Sequence, residues 1–120
     1  MYANGNTGQA RDKGGWAKAM VYVNEDGTIN RCYNSFLTGT ASSTVPCGFS
    51  VLATDIGYYY LDFGFRIDDR FYSATVHSDS AGHFNALQAA AANTTVIEVN
   101  TYKVDGGFTR TNANFTVIVY

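Results

Sequence analysis

The chain has 120 residues and a mass of 13.0 kDa, room for one domain built on a single core. Eight basic and ten acidic side chains leave a net charge of −2, which argues against nucleic acid as the main partner, because phosphate neutralisation needs clustered Lys and Arg. Charged residues make up only 15% of the chain against roughly 25% in an ordinary soluble domain, and aromatic residues also make up 15%, so part of the surface is expected to be covered by another chain or to serve as a binding face.

The start, Met1-Tyr2-Ala3-Asn4-Gly5, carries neither the basic nor the apolar stretch of a secretory leader. No span approaches the ~18 apolar residues of a membrane helix, so no membrane insertion is expected. Residues 1–15 hold four glycines among Asn, Thr and Gln and read as a linker, the end of a stalk that precedes the domain of residues 16–120.

From Trp16 the pattern is strands and turns. Ala17, Ala19, Val21 and Val23 alternate with Trp16, Lys18, Met20 and Tyr22, a period of two. Asn24-Glu25-Asp26-Gly27 is a turn closed by a glycine suited to positive φ, and Thr28 to Ser35 returns as the second arm of a hairpin, with Ile29, Arg31 and Tyr33 on one face. Residues 37–46 form a small-residue loop. Phe49, Val51 and Ala53 mark a third strand, and Asp55-Ile56-Gly57 a turn. Tyr58 to Phe65 is the strongest strand pattern: Tyr59, Leu61, Phe63 and Phe65 share the core face, and Tyr58, Tyr60 and Asp62 the other. Asp68-Asp69 turns the chain into a strand over 71–77. Phe84 to Ala92 has the helix propensity of an alanine run, but its neighbours on both sides are strands, which favours a strand that ends in a turn at Asn93. Thr95–Val104 and Ala113–Tyr120 complete the set. Seven or eight short strands separated by turns predict an all-β fold, an antiparallel β-sandwich of jelly-roll-like type.

The chemistry-bearing residues are sparse. His77 and His83 flank a turn and could hold a metal with Asp79, but no diagnostic ligand spacing accompanies them, and they read as exposed loop histidines. Asp62, Asp68 and Asp69 supply carboxylates for glycoside hydrolysis, yet Asp68 and Asp69 are explained as turn formers and Asp62 as a surface residue. No metal or cofactor is expected. Cys32 and Cys47, 15 apart, can pair if their segments are adjacent or stand as two small buried hydrophobes; with no leader and no other cysteine, free thiols are favoured. Tyr58-Tyr59-Tyr60 must place rings on both faces of one strand. One face is core; the other is an interface, a ligand surface or an exposed patch. Flat aromatic rings beside Asn, Asp and Thr suit the apolar faces and hydroxyls of sugars.

Gly15-Trp16-Ala17-Lys18-Ala19-Met20-Val21-Tyr22-Val23-Asn24, then Asp26-Gly27-Thr28-Ile29 and Arg31-Cys32-Tyr33-Asn34-Ser35, resemble the opening of small C-terminal domains of bacteriophage tail fibres and tailspikes. Pro46-Cys47-Gly48-Phe49, Tyr58 through Phe65, Asp69-Arg70-Phe71 and the closing strand to Tyr120 fit the same pattern, so the resemblance spans about residues 14–120. It implies a β-sandwich that assembles as a homotrimer at the fibre tip, locks the chains together, binds host-surface polysaccharide, or does both, without catalysis. It implies a virion protein folded in the host cytoplasm, with which free Cys32 and Cys47 agree. The glycan surface expected on this reading comprises Tyr58 and Tyr60 with loop residues Thr38, Thr40, Asp105, Arg110 and Asn112. Two other readings are a small polysaccharide-degrading or ester-cleaving domain that uses Asp62 or the His77/His83 pair, and a standalone carbohydrate-binding protein.

Overall fold

Alternating apolar and polar side chains set the strands, and burial of one face of each sheet against the other sets their arrangement. The structure, a computed structural model, describes residues 17–77 and 79–120; the glycine-rich stretch 1–15 and Trp16 lie outside the described residues. Nine strands follow in order: β1 (Ala19–Val23), β2 (Ile29–Asn34), β3 (Ser50–Asp55), β4 (Tyr58–Asp62), β5 (Tyr72–Val76), β6 (Asn85–Ala91), β7 (Val96–Val104), β8 (Phe108–Arg110) and β9 (Phe115–Val119), with a 3-10 turn at Gly39–Ser43. They form two antiparallel sheets, β2-β1-β9-β5 and β3-β4-β7-β6, with β8 paired to the far end of β7. The chain is an all-β sandwich whose first and last strands are neighbours inside the first sheet.

The core lies between the sheets. Ala19, Val21, Val23, Phe115, Val117 and Val119 from the first sheet meet Tyr59, Leu61, Ile97 and Val99 from the second, all fully buried. Tyr59 and Phe115 join the layers with ring centroids 4.9 Å apart, and the Tyr59 hydroxyl donates to the Glu25 carbonyl at 2.7 Å. Burial pushes the Tyr59 phenol above its ordinary pKa, so it stays a neutral donor.

Several expectations are corrected. Cys32 and Cys47 form a disulfide with their Cα atoms 6.2 Å apart. The segment after β2 folds back beneath it, and Asn34 Nδ2 donates to the Cys47 carbonyl at 2.8 Å, which brings the two thiols together. The agreement between free thiols and a reducing compartment is thereby withdrawn. Ile29 does not share a face with Arg31 and Tyr33: the ladder shifts between Tyr22 and Val23, which pair with Arg31 and Ile29, and the extra residue turns Ile29 onto the core. The strand expected to run to Phe65 ends at Asp62, whose Oδ1 accepts the Gly64 N–H at 2.9 Å, with Gly64 at φ +74°. Phe63 still reaches the core, and Phe65 packs against Phe36 at 4.5 Å. Residues 85–91 are a strand, as the neighbouring strands require. The short β8 is an additional strand within the expected 105–112 loop.

Candidate functional site

The solvent-facing side of the second sheet gathers the aromatic excess. In β4, Tyr59 and Leu61 enter the core while Tyr58, Tyr60 and Asp62 point outward, each half-buried. Across the ladder, Tyr58 lies opposite Asn100 and Tyr60 opposite Glu98 on β7. Beyond the end of β4, β8 takes over the same side of β7 and sets Arg110 opposite Tyr102. This handover from β4 to β8 places Tyr58 and Arg110 end to end.

The Arg110 guanidinium lies over the Tyr58 ring, its carbon 3.4 Å from the centroid, and 5.4 Å from the centroid of Tyr102. Its Nη1 donates to Asn100 Oδ1 at 2.9 Å, and Asn100 is buried. The planar cation is therefore held by two rings and an amide. Phe108 meets Tyr102 edge-on at 6.3 Å and is 71% exposed. At the other end, Tyr60, Asp62, Val96, Ser50, Val51 and Leu52 line an open depression of about 390 Å³, with Leu52 62% exposed. The whole forms a shallow strip of rings, a positive plane and flanking carboxylates.

Of the sequence-predicted glycan residues, Tyr58, Tyr60 and Arg110 come together here. The other four do not join them. Thr38 and Thr40 stand exposed at the 3-10 turn beside β2, where the Thr40 carbonyl accepts from the Thr44 hydroxyl at 2.6 Å. Asp105 sits in the β7–β8 turn and pairs with Lys103 Nζ at 3.6 Å. Asn112 Oδ1 accepts the Gly57 N–H at 2.8 Å, which fixes the β3–β4 turn. Tyr102, Asn100 and Phe108 are the members that sequence reasoning did not assign. Alternation along 95–104 places Tyr102 and Asn100 on one face, but their meeting with Arg110 depends on β8.

Of the residues weighed for metal binding, Asp79 and His83 meet but His77 does not join them. The His77 ring stacks on Tyr22 (5.0 Å, 7°), and its Nε2 lies 2.7 Å from Thr116 Oγ1 on the outer face of the first sheet. His83 Nδ1 contacts Asp79 Oδ2 at 2.8 Å. Burial pushes the Asp79 carboxyl up, but the backbone N–H and ring of His83, with the N–H of Ala81, outweigh it and hold Asp79 below the ordinary carboxylate range. Asp68 is held low by its hydrogen bond from Arg66 Nε at 2.6 Å. Among the described residues no group of three or more His, Cys, Asp or Glu is placed to hold a metal ion. Compared with protein-family models, curated proteins and solved structures, the chain matches none.

Proposed function

We propose that this domain is a non-catalytic glycan-binding module of the kind its sequence resembles, a tail-fibre or tailspike tip domain that attaches a virion to bacterial surface polysaccharide. The observation that carries the reading is the stack of Arg110 on Tyr58 and Tyr102, open to solvent beside Tyr60. Sugar rings offer flat C–H faces to aromatic planes and hydroxyls to fixed donors. A shallow strip suits an extended chain of sugars better than a small enclosed ligand. Asn100 supports the cation from beneath, so little side-chain freedom is lost on binding.

The reading is tested on an array of bacterial capsular and lipopolysaccharide glycans, followed by titration of the best oligosaccharide. Tyr60→Ala and Arg110→Ala are each expected to weaken binding about tenfold or more, ~1.4 kcal/mol, while circular dichroism shows the fold retained. Absence of any binding at millimolar oligosaccharide, or affinities unchanged in both variants, overturns it.

A further inference from the structure

The outer face of the first sheet differs in charge from the strip on the second. The strands of the second sheet bring Asp55, Asp62 and Glu98. Among the described residues, Arg31 is the single charged residue within the four strands of the first sheet. The register builds a block around it on the outer side: Tyr22 lies opposite Arg31, and Met20 opposite Tyr33. The guanidinium carbon of Arg31 is 5.0 Å from the Tyr22 ring centroid. From the other side of β1 the His77 ring stacks on Tyr22, also at 5.0 Å, and His77 Nε2 contacts Thr116 Oγ1. Tyr22 is thus held in place, and among the described residues no carboxylate pairs with Arg31. Tyr22, Arg31, Met20, Tyr33 and Thr116 line a pocket of about 220 Å³, in which Met20 is 40% exposed.

We infer that this pocket is a second glycan subsite and that it takes a sugar bearing a carboxylate. In a chain of net charge −2, a cation without a carboxylate partner on an acid-free sheet face selects for an anion. A guanidinium presents parallel N–H donors that match the two oxygens of a carboxylate. Stacking on Tyr22 orients its plane without neutralising its charge. The Tyr33 ring and the Met20 thioether supply an apolar floor for the C–H face of a sugar. The pocket is smaller than those that enclose drug-sized ligands, which suits one acidic residue of a polysaccharide. A purely apolar ligand would leave Arg31 unused, and a bare inorganic anion would leave Met20 and Tyr33 unused. The Arg110 strip differs, because carboxylates flank its rings and its cation already donates to Asn100. The inference uses no residue of that strip, so the two readings fail separately.

Three acidic probes test it: tetragalacturonate, a hyaluronan tetrasaccharide and a tetramer of sialic acid, each beside its carboxyl-reduced form. The ε-methyl group of Met20 reports from the pocket itself by nuclear magnetic resonance; the chain has two methionines, and Met20→Leu assigns the signal. At least one acidic probe is expected to shift that methyl at millimolar concentration, with its carboxyl-reduced form bound at least about tenfold more weakly. Arg31→Gln, at an exposed position, should weaken the acidic probe at least about tenfold with the circular dichroism spectrum unchanged. Arg110→Ala should change its affinity by less than about twofold. The inference is overturned if no acidic probe moves the Met20 methyl, if the reduced forms bind as well as the acids, or if Arg31→Gln binds like the native protein. Loss of binding in Arg110→Ala alone assigns the acid to the strip and overturns it too. Any of these results, with a neutral oligosaccharide still held through Arg110, leaves the proposed function standing.

Discussion

Gly57 shows how a single residue seats the turn beside the aromatic strip. It adopts φ +71° between β3 and β4, its carbonyl accepts the Thr101 N–H at 2.9 Å, and its N–H donates to Asn112. A Cβ there would lie 2.6 Å from the Thr101 carbonyl oxygen and 3.1 Å from that of Thr111. Gly57→Ala is therefore expected to cost at least about 2 kcal/mol, combining left-handed strain with a backbone clash. Gly82→Ala has φ +73° but open space around it and is expected to cost only about 1 kcal/mol. Urea midpoints at unchanged m-value measure the difference; equal losses would mean that the clash is relieved at no cost. At this scale the sequence was legible where period two suffices. It put Tyr58 and Tyr60 on the face opposite Tyr59, and it identified the Asp55-Ile56-Gly57 turn. It did not show Arg110 on Tyr58, because that contact needs the registers of β4 and β8 on β7 at once. Nor did it show that Asn112 is spent on the Gly57 N–H.

Among the elements, the segment between β2 and β3 is held by contacts outside itself. It has a 3-10 turn with no buried residue and is tied to the sandwich through Cys47, which is buried, and Asn34. The disulfide closes a loop of 15 positions, for which chain entropy gives about 3 kcal/mol. Replacing both cysteines by serine is expected to lower unfolding stability by about that amount, as read from denaturant melts with and without reductant. Reductant should destabilise the native protein and leave the variant unmoved. A melt of the native protein that ignores reductant would contradict the bond. Pairing of Cys32 and Cys47 was not legible, because neither their spacing nor their neighbours determine how the 35–49 segment folds back. The strand at 85–91 was legible against its own propensity. An alanine run favours helix by local preference, but β7 offers a ladder along its full length and a core that takes Leu87 and Ala89. The three-residue β8 has no period to read and exists because β7 outruns β4.

At the scale of the molecule, the proposed glycan strip exists only in the folded chain. Tyr58, Tyr102 and Arg110 come from three strands, β4, β7 and β8, which the two ladders on β7 bring together. A ligand of that strip binds the folded state alone and stabilises the whole sandwich by mass action, by about 2.7 kcal/mol at a hundred times its Kd. The stability of the native protein read from urea melts is expected to rise by that amount with oligosaccharide at this concentration. In Arg110→Ala, with affinity weakened about tenfold, the same concentration should stabilise by only about 1.4 kcal/mol. A rise of equal size in both proteins would place the sugar away from Arg110.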